Sequence, residues 1–242
     1  MQKLYNEITN LDNYLPSEKV NRLFSTLVEN TLKEEKNNLN KKQIENLQKV
    51  CSSAEYELEK YWSQKNIYKF PYFENYLKLT KLEWFSLKSC SVHKKHKILF
   101  VGGGPLPMTA IMLAKIYRQK VTILEKEKEA VDLSSSLIKE LKLQNKIKVI
   151  QVDALDFEGY KNFNAIFVAA LAGINSNIKD KILEKIKKQT LKNTHILARS
   201  SWGARRILYK PLSKHSFKIF KPVMEVKPMN DIVNSFVIFQ NI

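Results

Sequence analysis

Three consecutive glycines follow a short apolar run in the second half of the chain, and this feature constrains the fold most. The run is Lys97-Ile98-Leu99-Phe100-Val101, and a helical pattern resumes at Met108. Glycines between a strand and a helix allow a tight turn and let the main chain approach a ligand closely. Pro105 and Pro107 suit the first turn of a helix, where an amide proton has no intrahelical partner. The sequence therefore predicts a ligand-binding turn at Gly102, Gly103 and Gly104.

The residues after the glycines restrict the class of ligand. Pro107 stands where the last glycine of G-x-G-x-x-G belongs, so the dinucleotide fingerprint is incomplete. No Gly-Lys-Ser/Thr follows, which excludes a phosphate-binding P-loop. A turn this tight suits a small nucleoside that carries a charged chain better than a bulky pyrophosphate.

The two parts of the chain have different periodicities. Residues 91–242 alternate short apolar runs with helical segments, which predicts an α/β fold with a Rossmann-like, doubly wound parallel sheet. The predicted strands are residues 97–101, 121–124, 147–152, 164–169, 194–199 and 232–240. Residues 1–90 have the spacing of amphipathic helices, with Ser17 as an N-cap, and predict a helical bundle. We therefore expect two domains, residues 1–90 and 91–242.

Carboxylates follow the second and third predicted strands. Glu125 and Glu127 end the second strand, where a carboxylate can accept both hydroxyls of a ribose. Asp153 follows the third strand and is placed to accept from an adenine amino group. A glycine turn with acidic second and third strands is the order expected of class I S-adenosylmethionine-dependent transferases. The sequence favours Glu125 for the ribose but leaves Glu127 open.

Composition excludes several other classes of protein. No apolar run approaches the roughly 20 residues that cross a bilayer, and the N-terminus lacks the apolar core of a signal peptide. Two cysteines are too few for a disulfide framework, and the four histidines are scattered, so we predict a cytoplasmic protein without a metal site. Residues 91–242 hold 27 of the 41 lysines and arginines but 12 of the 24 acidic residues. The lysines are spread along helices, so we expect small-molecule substrates rather than nucleic acid, with a homodimer left open.

Several segments, in order along nearly the whole chain, resemble the nicotianamine synthase family. The resemblance includes the helical part, which ordinary methyltransferases do not share. The matching segments are Leu15-Pro16-Ser17, Val20-Asn21-Arg22-Leu23-Phe24, Ala54-Glu55, Leu58-Glu59, Phe70-Pro71-Tyr72-Phe73-Glu74-Asn75-Tyr76, Phe100 to Pro107, Phe167 to Gly173, Arg199 to Arg205 and Asn230 to Ser235.

The resemblance implies a transferase that moves the 3-amino-3-carboxypropyl arm of S-adenosylmethionine to an amine and releases methylthioadenosine. The product would be nicotianamine or a related metallophore. The chain is shorter than the plant members, and Glu125-Lys126-Glu127 stands where aspartates are usual in the family. A longer carboxylate still reaches a ribose, so this departure affects the residue assignment more than the ligand.

The resemblance also implies site residues. An incoming α-amine must lose a proton before it attacks, and Glu55 is the predicted base, with Tyr76 as its hydrogen-bonding partner. Arg199, after the fifth strand, is predicted to clamp a substrate carboxylate with both edges of its guanidinium. The other predicted substrate-binding residues are Tyr72, Glu74 and Asn234. The predicted S-adenosylmethionine-binding residues are Gly102, Gly103, Gly104, Pro105, Leu106, Glu125, Glu127, Asp153, Ala154, Ala169 and Ala170.

Two other functions fit the same pattern. An S-adenosylmethionine-dependent methyltransferase acting on a small molecule or RNA would use the same glycine turn and carboxylates, but would leave S-adenosylhomocysteine. A catalytically idle RNA-binding module would use the basic second part, and its affinity would fall steeply with salt.

Overall fold

The computed structural model describes residues 1–33, 37–91, 95–173, 176–229 and 231–242. Its first part is helical, as predicted. The four helices there are α1 (Gln2–Thr9), α2 (Glu18–Lys33), α3 (Lys41–Ser63) and α4 (Phe73–Cys90). In the described chain no helix is long and apolar enough to cross a membrane.

Local caps define where two of these helices begin. Ser17 Oγ accepts a hydrogen bond from Val20 N at 3.2 Å, the contact expected of the predicted N-cap of α2. Asn40 and Gln43 exchange side-chain hydrogen bonds with each other's backbone N–H, a capping box that starts α3. Helix α1 was not predicted, because it is short and has no capping signal in the sequence.

The second part is a seven-stranded sheet in the order β3-β2-β1-β4-β5-β7-β6. Five strands are parallel, and the order reverses at β1 and β4, as in a doubly wound fold. The strands are β1 (Ile98–Val101), β2 (Val121–Glu125), β3 (Ile147–Gln151), β4 (Ala165–Val168), β5 (His195–Ser200), β6 (Lys221–Val226) and β7 (Ser235–Gln240). The helices between and after them are α5 (Met108–Lys115), α6 (Lys128–Glu140), α7 (Ser176–Gln189) and α8 (Ser216–Ile219).

The edge of the sheet beyond β5 differs from the prediction. The closing strand lies over residues 235–240 rather than 232–240, and it runs antiparallel to β5. Strand β6 also runs antiparallel beside it and was not predicted. Its residues are mostly exposed, so β6 lacks the apolar alternation that marks a half-buried strand.

The helical part and the sheet share their hydrophobic cores. Leu79, Trp84 and Leu87 of α4 are buried in the same core as strands β1 and β4. In the opposite direction, Ile207 and Leu208 follow the last parallel strand and pack among α1, α2 and α3. The division at residue 90 stays a prediction about folding units; the structure packs α4 directly on the sheet domain.

A buried ion pair joins α4 to the end of β5. Arg199 Nε donates to Glu83 Oε1 at 2.6 Å, and Arg199 Nη2 donates to Glu83 Oε2 at 2.9 Å. Nη2 also donates to Thr109 Oγ1 of α5 at 2.6 Å. The Glu83 side chain is fully buried and that of Arg199 is 7% exposed. Such a pair holds three elements together, because either charge alone would be buried without compensation.

We expect Glu83→Leu to destabilise the protein by about 3–5 kcal/mol, because the variant leaves the Arg199 charge buried and unpaired. The double variant Glu83→Leu with Arg199→Met should recover most of the lost stability, since an apolar pair of similar volume leaves no buried charge. Urea unfolding monitored by circular dichroism measures both. A double variant no more stable than Glu83→Leu would contradict this account of the pair.

Candidate active site

The glycine turn forms one wall of a cavity of about 500 Å³ at the carboxyl ends of the parallel strands. We call it the glycine-turn cavity. Gly102 and Gly104 have positive φ values of 81° and 64°, which residues with a Cβ rarely adopt. A Cβ at Gly103 would lie 2.3 Å from Ile123 Cγ2. Each glycine is therefore required, two by backbone conformation and one by close packing against β2.

Glu125, the last residue of β2, ties the turn to the sheet. Its Oε2 accepts from Gly104 N at 2.9 Å, and its Oε1 accepts from Lys126 N at 2.8 Å and Glu127 N at 3.0 Å. A carboxylate has about four acceptor positions, so one is still available to a ligand. Glu127 also lines the cavity, with its side chain 59% exposed and beside Lys126.

The far wall comes from the ends of β3 and β4. Asp153, Ala154, Ala169 and Ala170 all line the cavity. The buried Lys179 of α7, which sequence reasoning missed, donates to the Ala169 carbonyl at 3.1 Å and to the Ala170 carbonyl at 2.6 Å. Burial and the positive charge of Arg199 lower the pKa of Lys179 to about 7. Lys179 thus anchors this wall from behind.

A second cavity, of about 150 Å³, lies between the helices and the loop that follows β5. We call it the aromatic cavity. Its walls include Tyr14, Phe24, Phe70 and Tyr72, and no described lysine, arginine or histidine lines it. The two cavities share five lining residues, which form the boundary between them: Glu55, Glu59, Tyr76, Tyr209 and Asn234.

Two carboxyl groups and two phenols meet at this boundary. Tyr209 Oη donates to Glu55 Oε2 at 2.7 Å. Tyr76 Oη lies 3.4 Å from Glu55 Oε1 and 3.3 Å from Glu59 Oε1, and so bridges the two carboxyls. A Cβ added at Gly104 would lie 2.6 Å from Glu59 Oε2, which shows how closely Glu59 lies against the glycine turn.

Enclosure raises the pKa values of all four groups. For Glu55, burial raises the pKa, while the hydrogen bonds from Tyr209 and Tyr76 and the charge of Arg199 oppose the rise. For Glu59, burial and then the charge of Glu55 raise the pKa well above its usual range. Burial and the charge of Glu55 likewise raise the pKa values of Tyr76 and Tyr209 well above the ordinary phenol value. Two adjacent carboxyls in one enclosure resist double ionisation, so the pair holds a proton.

Arg199 lines the glycine-turn cavity, and one edge of its guanidinium is already engaged by the protein. Its Nε and Nη2 are engaged by Glu83, and Nη2 also by Thr109. A bidentate clamp through the Nε–Nη2 edge is thus excluded, whereas Nη1 takes no part in these contacts and a role of Arg199 in substrate binding stays a prediction. The fixed positive charge of Arg199 opposes the rise that burial causes in the pKa values of Glu55 and Glu59.

The other predicted residues divide between the cavities and the surrounding structure. Leu106 lines the glycine-turn cavity, Tyr72 lines the aromatic cavity, and Asn234 lines both. Glu74 is exposed on the first turn of α4 and lines neither cavity. Tyr72 and Tyr76 are four residues apart and both line the aromatic cavity, so Glu74, midway between them, points to the opposite side. Pro105 is buried in the turn and does not line the cavity either.

Sequence reasoning missed Glu59 and Tyr209 as site residues. Glu59 had a usable signal, because it lies four residues after Glu55 on α3 and therefore on the same helix face. Tyr209 had none, since it reaches Glu55 from a loop 154 residues away in sequence. In the described ranges no group of three or more His, Cys, Asp or Glu side chains is arranged to hold a metal ion.

The raised pKa of Glu59 predicts a pH-dependent cost to stability. Its folded pKa exceeds the unfolded value of about 4.3, so the folded state binds more protons and stability falls as pH rises through the window between the two values. We expect Glu59→Gln to melt at a higher temperature than wild type near pH ~8, with the gap closing towards pH ~4. Glu45→Gln, an exposed change on the same helix, should stay within about 0.5 kcal/mol of wild type. An unchanged or lower melting temperature for Glu59→Gln near pH ~8 would refute the assignment.

Solved structures with the same fold include two groups. The crystal structure of MtNAS in complex with MTA and tNA matches with a TM-score of 0.84 and 22% identity, over all of this chain and 96% of that one. The N-methyltransferase NodS from Bradyrhizobium japonicum WM9 matches with a TM-score of 0.54 and 16% identity, over 77% of this chain and 97% of that one. At these identities both matches establish the fold alone.

Sequence relatives identify the family. The chain is 33% identical to nicotianamine synthase 1 and 31% identical to nicotianamine synthase 2 of Arabidopsis thaliana, over 97% of this chain and 81% and 80% of those proteins. The family model described as nicotianamine synthase protein matches residues 1–242. The chain therefore belongs to the nicotianamine synthase family.

Proposed function

We propose that this protein transfers the 3-amino-3-carboxypropyl arm of S-adenosylmethionine to an amine, releases methylthioadenosine and thereby builds nicotianamine. Its family relatives are nicotianamine synthases, and the chain covers four-fifths of their length. The observation that carries the mechanism is the boundary between the two cavities, where Glu55 and Glu59 meet Tyr76 and Tyr209 beside the glycine turn.

The glycine-turn cavity is the proposed site of S-adenosylmethionine. Gly102, Gly103 and Gly104 let the main chain approach the nucleoside, and the free acceptor position of Glu125 takes a ribose hydroxyl. The ribose lies between Glu125 and Glu127, which line the same wall. Asp153 and Ala154 face the adenine, and Leu106, Ala169 and Ala170 enclose the ligand from the other walls.

The base is Glu55. It accepts the 2.7 Å hydrogen bond from Tyr209, which favours its ionised form, whereas Glu59 lacks that bond and experiences the charge of Glu55. Glu59 therefore holds the proton of the pair, and Glu55 is the carboxylate. A base with a raised pKa is matched to removing a proton from an ammonium group near neutral pH.

The transfer is a displacement at the arm carbon bonded to sulfur. The acceptor amine, held in the aromatic cavity, gives its proton to Glu55 and attacks that carbon with the freed electron pair. The carbon–sulfur bond breaks, and its electrons return to sulfur, which leaves as the neutral thioether of methylthioadenosine. The site must place the amine in line with that carbon at about 3–3.5 Å, and the boundary between the cavities is the place where the two ligands meet.

We further propose that the product serves as a metallophore made in the cytoplasm. Its amines and carboxylates are ligand types that bind divalent transition metals. Cys51 and Cys90 are both free, which suits a reducing compartment.

We expect Glu55→Gln to lower kcat by about 10²–10⁴-fold, the usual contribution of a general base. In Glu59→Gln the fold-decrease in kcat should be less than a tenth of that in Glu55→Gln, because glutamine resembles the protonated form of the Glu59 side chain. Methylthioadenosine release from purified protein and S-adenosylmethionine measures both, with and without added amino acids. Equal losses in the two variants would overturn the division of roles, and S-adenosylhomocysteine in place of methylthioadenosine would overturn the function.

The pH dependence of kcat should report the ionisation of Glu55. The pKa of Glu55 is raised by burial and held down by Tyr209, and the base works only above that pKa. Tyr209→Phe removes the hydrogen bond, so the pKa of Glu55 should rise further and the acid limb of the kcat profile should move to higher pH. Tyr14→Phe, which alters a phenol elsewhere in the aromatic cavity, is the comparison and should leave the limb in place. An acid limb of the kcat profile that is unchanged in Tyr209→Phe, or that moves to lower pH, would contradict the assignment of Glu55 as the base.

A further inference from the structure

The amide of Asn234 is the one unused N–H donor among the five residues that line both cavities. Glu55 and Glu59 offer no N–H, and the phenol protons of Tyr76 and Tyr209 are directed at those two carboxyls. Asn234 Nδ2 is buried and has no hydrogen-bond partner among the described residues. A buried amide nitrogen without an acceptor is costly unless a ligand completes it.

The glycine turn, in contrast, has few donors left for a substrate carboxylate. Gly102 N donates to the Leu124 carbonyl and Gly104 N to Glu125 Oε2, both at 2.9 Å. Pro105 and Pro107 carry no amide proton. Glu83 and Thr109 engage Nε and Nη2 of Arg199, whereas Nη1 takes no part in these contacts. The carboxylate of the S-adenosylmethionine arm therefore needs a donor other than the amides of Gly102 and Gly104 and the Nε–Nη2 edge of Arg199.

We propose that Asn234 Nδ2 binds the carboxylate of the arm that is transferred, an inference that rests on the proposed function. Held at its far end by Asn234, the arm runs from the nucleoside towards the boundary of the two cavities. The carbon bonded to sulfur then faces Glu55 and the aromatic cavity, and the methyl group does not. Asn234 is a specificity-determining residue in this arrangement, because it selects which of the sulfonium's carbons meets the amine.

The backbone around Asn234 is suited to this task. Asn234 immediately precedes β7, and its neighbour Ser235 pairs with Ser200 of β5. The residue before Ser200 is Arg199, so the amide stands beside the elements that the buried ion pair joins. A residue at a strand end held in this way keeps its backbone position without a ligand, which lowers the ordering cost of binding.

Two unreactive ligands that differ only in the arm carboxylate measure the contribution of that group to binding. S-adenosylhomocysteine has the same arm on a thioether that cannot donate it, and its decarboxylated analogue lacks only the carboxylate. Isothermal titration calorimetry with both ligands, without any acceptor, measures what that group contributes. In the wild type the carboxylate should tighten binding by about tenfold or more, the scale of a charge-assisted hydrogen bond.

Asn234→Ala should weaken S-adenosylhomocysteine about tenfold and leave the decarboxylated analogue within about twofold. Asn234→Asp, which keeps the shape but replaces the donor by a carboxylate, should reverse the preference in favour of the analogue. Asn21→Ala removes an amide that lines the aromatic cavity alone, and should leave the ratio of the two affinities as in wild type. Thermal melting of each variant establishes that the fold is kept.

An affinity ratio in Asn234→Ala and Asn234→Asp equal to that of wild type would overturn the role of Asn234. Weakening of both ligands alike would overturn it too, since a general disturbance of the cavity does not discriminate by the carboxylate. The proposed function is tested separately, by release of methylthioadenosine from the wild type. If the wild type releases methylthioadenosine but the Asn234 variants bind the two ligands in the wild-type ratio, the proposed function stands and only the role of Asn234 is wrong.

Discussion

The buried pair of Arg199 and Glu83 is the contact on which the rest of the architecture depends. A guanidinium enclosed at the end of β5 requires a carboxylate, and that carboxylate comes from α4 in the helical part. The pair therefore fixes α4 against the sheet, together with the apolar contacts of Trp84 and Leu87. With α4 in place, Tyr76 on the same helix lies between the two glutamates of α3, and these residues form the wall of the cavity that faces the glycine turn.

The same pair determines the charge balance of the site. Two carboxyls enclosed beside each other would both be protonated if burial acted alone, and neither could serve as a base. The positive charge of Arg199 and the hydroxyl of Tyr209 favour the ionised form of Glu55. Since Glu83 is directed at Arg199 from the other side, the cation cannot swing into the cavity and neutralise a glutamate directly. The result is a carboxyl pair with one proton.

The sequence predicted those features that depend on local pattern. The glycine turn, the five parallel strands and the carboxylate of Glu125 follow from periodicity and from the position of each residue relative to a strand end. Strand β6 could not be predicted, because its exposed residues lack an apolar alternation. The partner of Arg199 could not be predicted either, because Glu83 lies 116 residues away and has nothing in its surroundings to mark it as buried. The sequence contains many carboxylates that could accept from the arginine, but the fold determines that Glu83 is the one that does.

The division of labour between the two parts of the chain follows from where unused hydrogen-bond donors remain. In the glycine turn, the amides of Gly102 and Gly104 are engaged by the protein and two positions are prolines, so few of its donors remain for the arm of the proposed ligand. In the proposed reaction the arm is oriented from the opposite wall, where Asn234 and the residues of α3 and α4 face the cavity. A sulfonium presents three carbons to attack, and the turn alone does not discriminate among them. The wall that includes the helical part discriminates among them in the proposed mechanism, because it holds both the proposed base, Glu55, and the cavity proposed for the incoming amine.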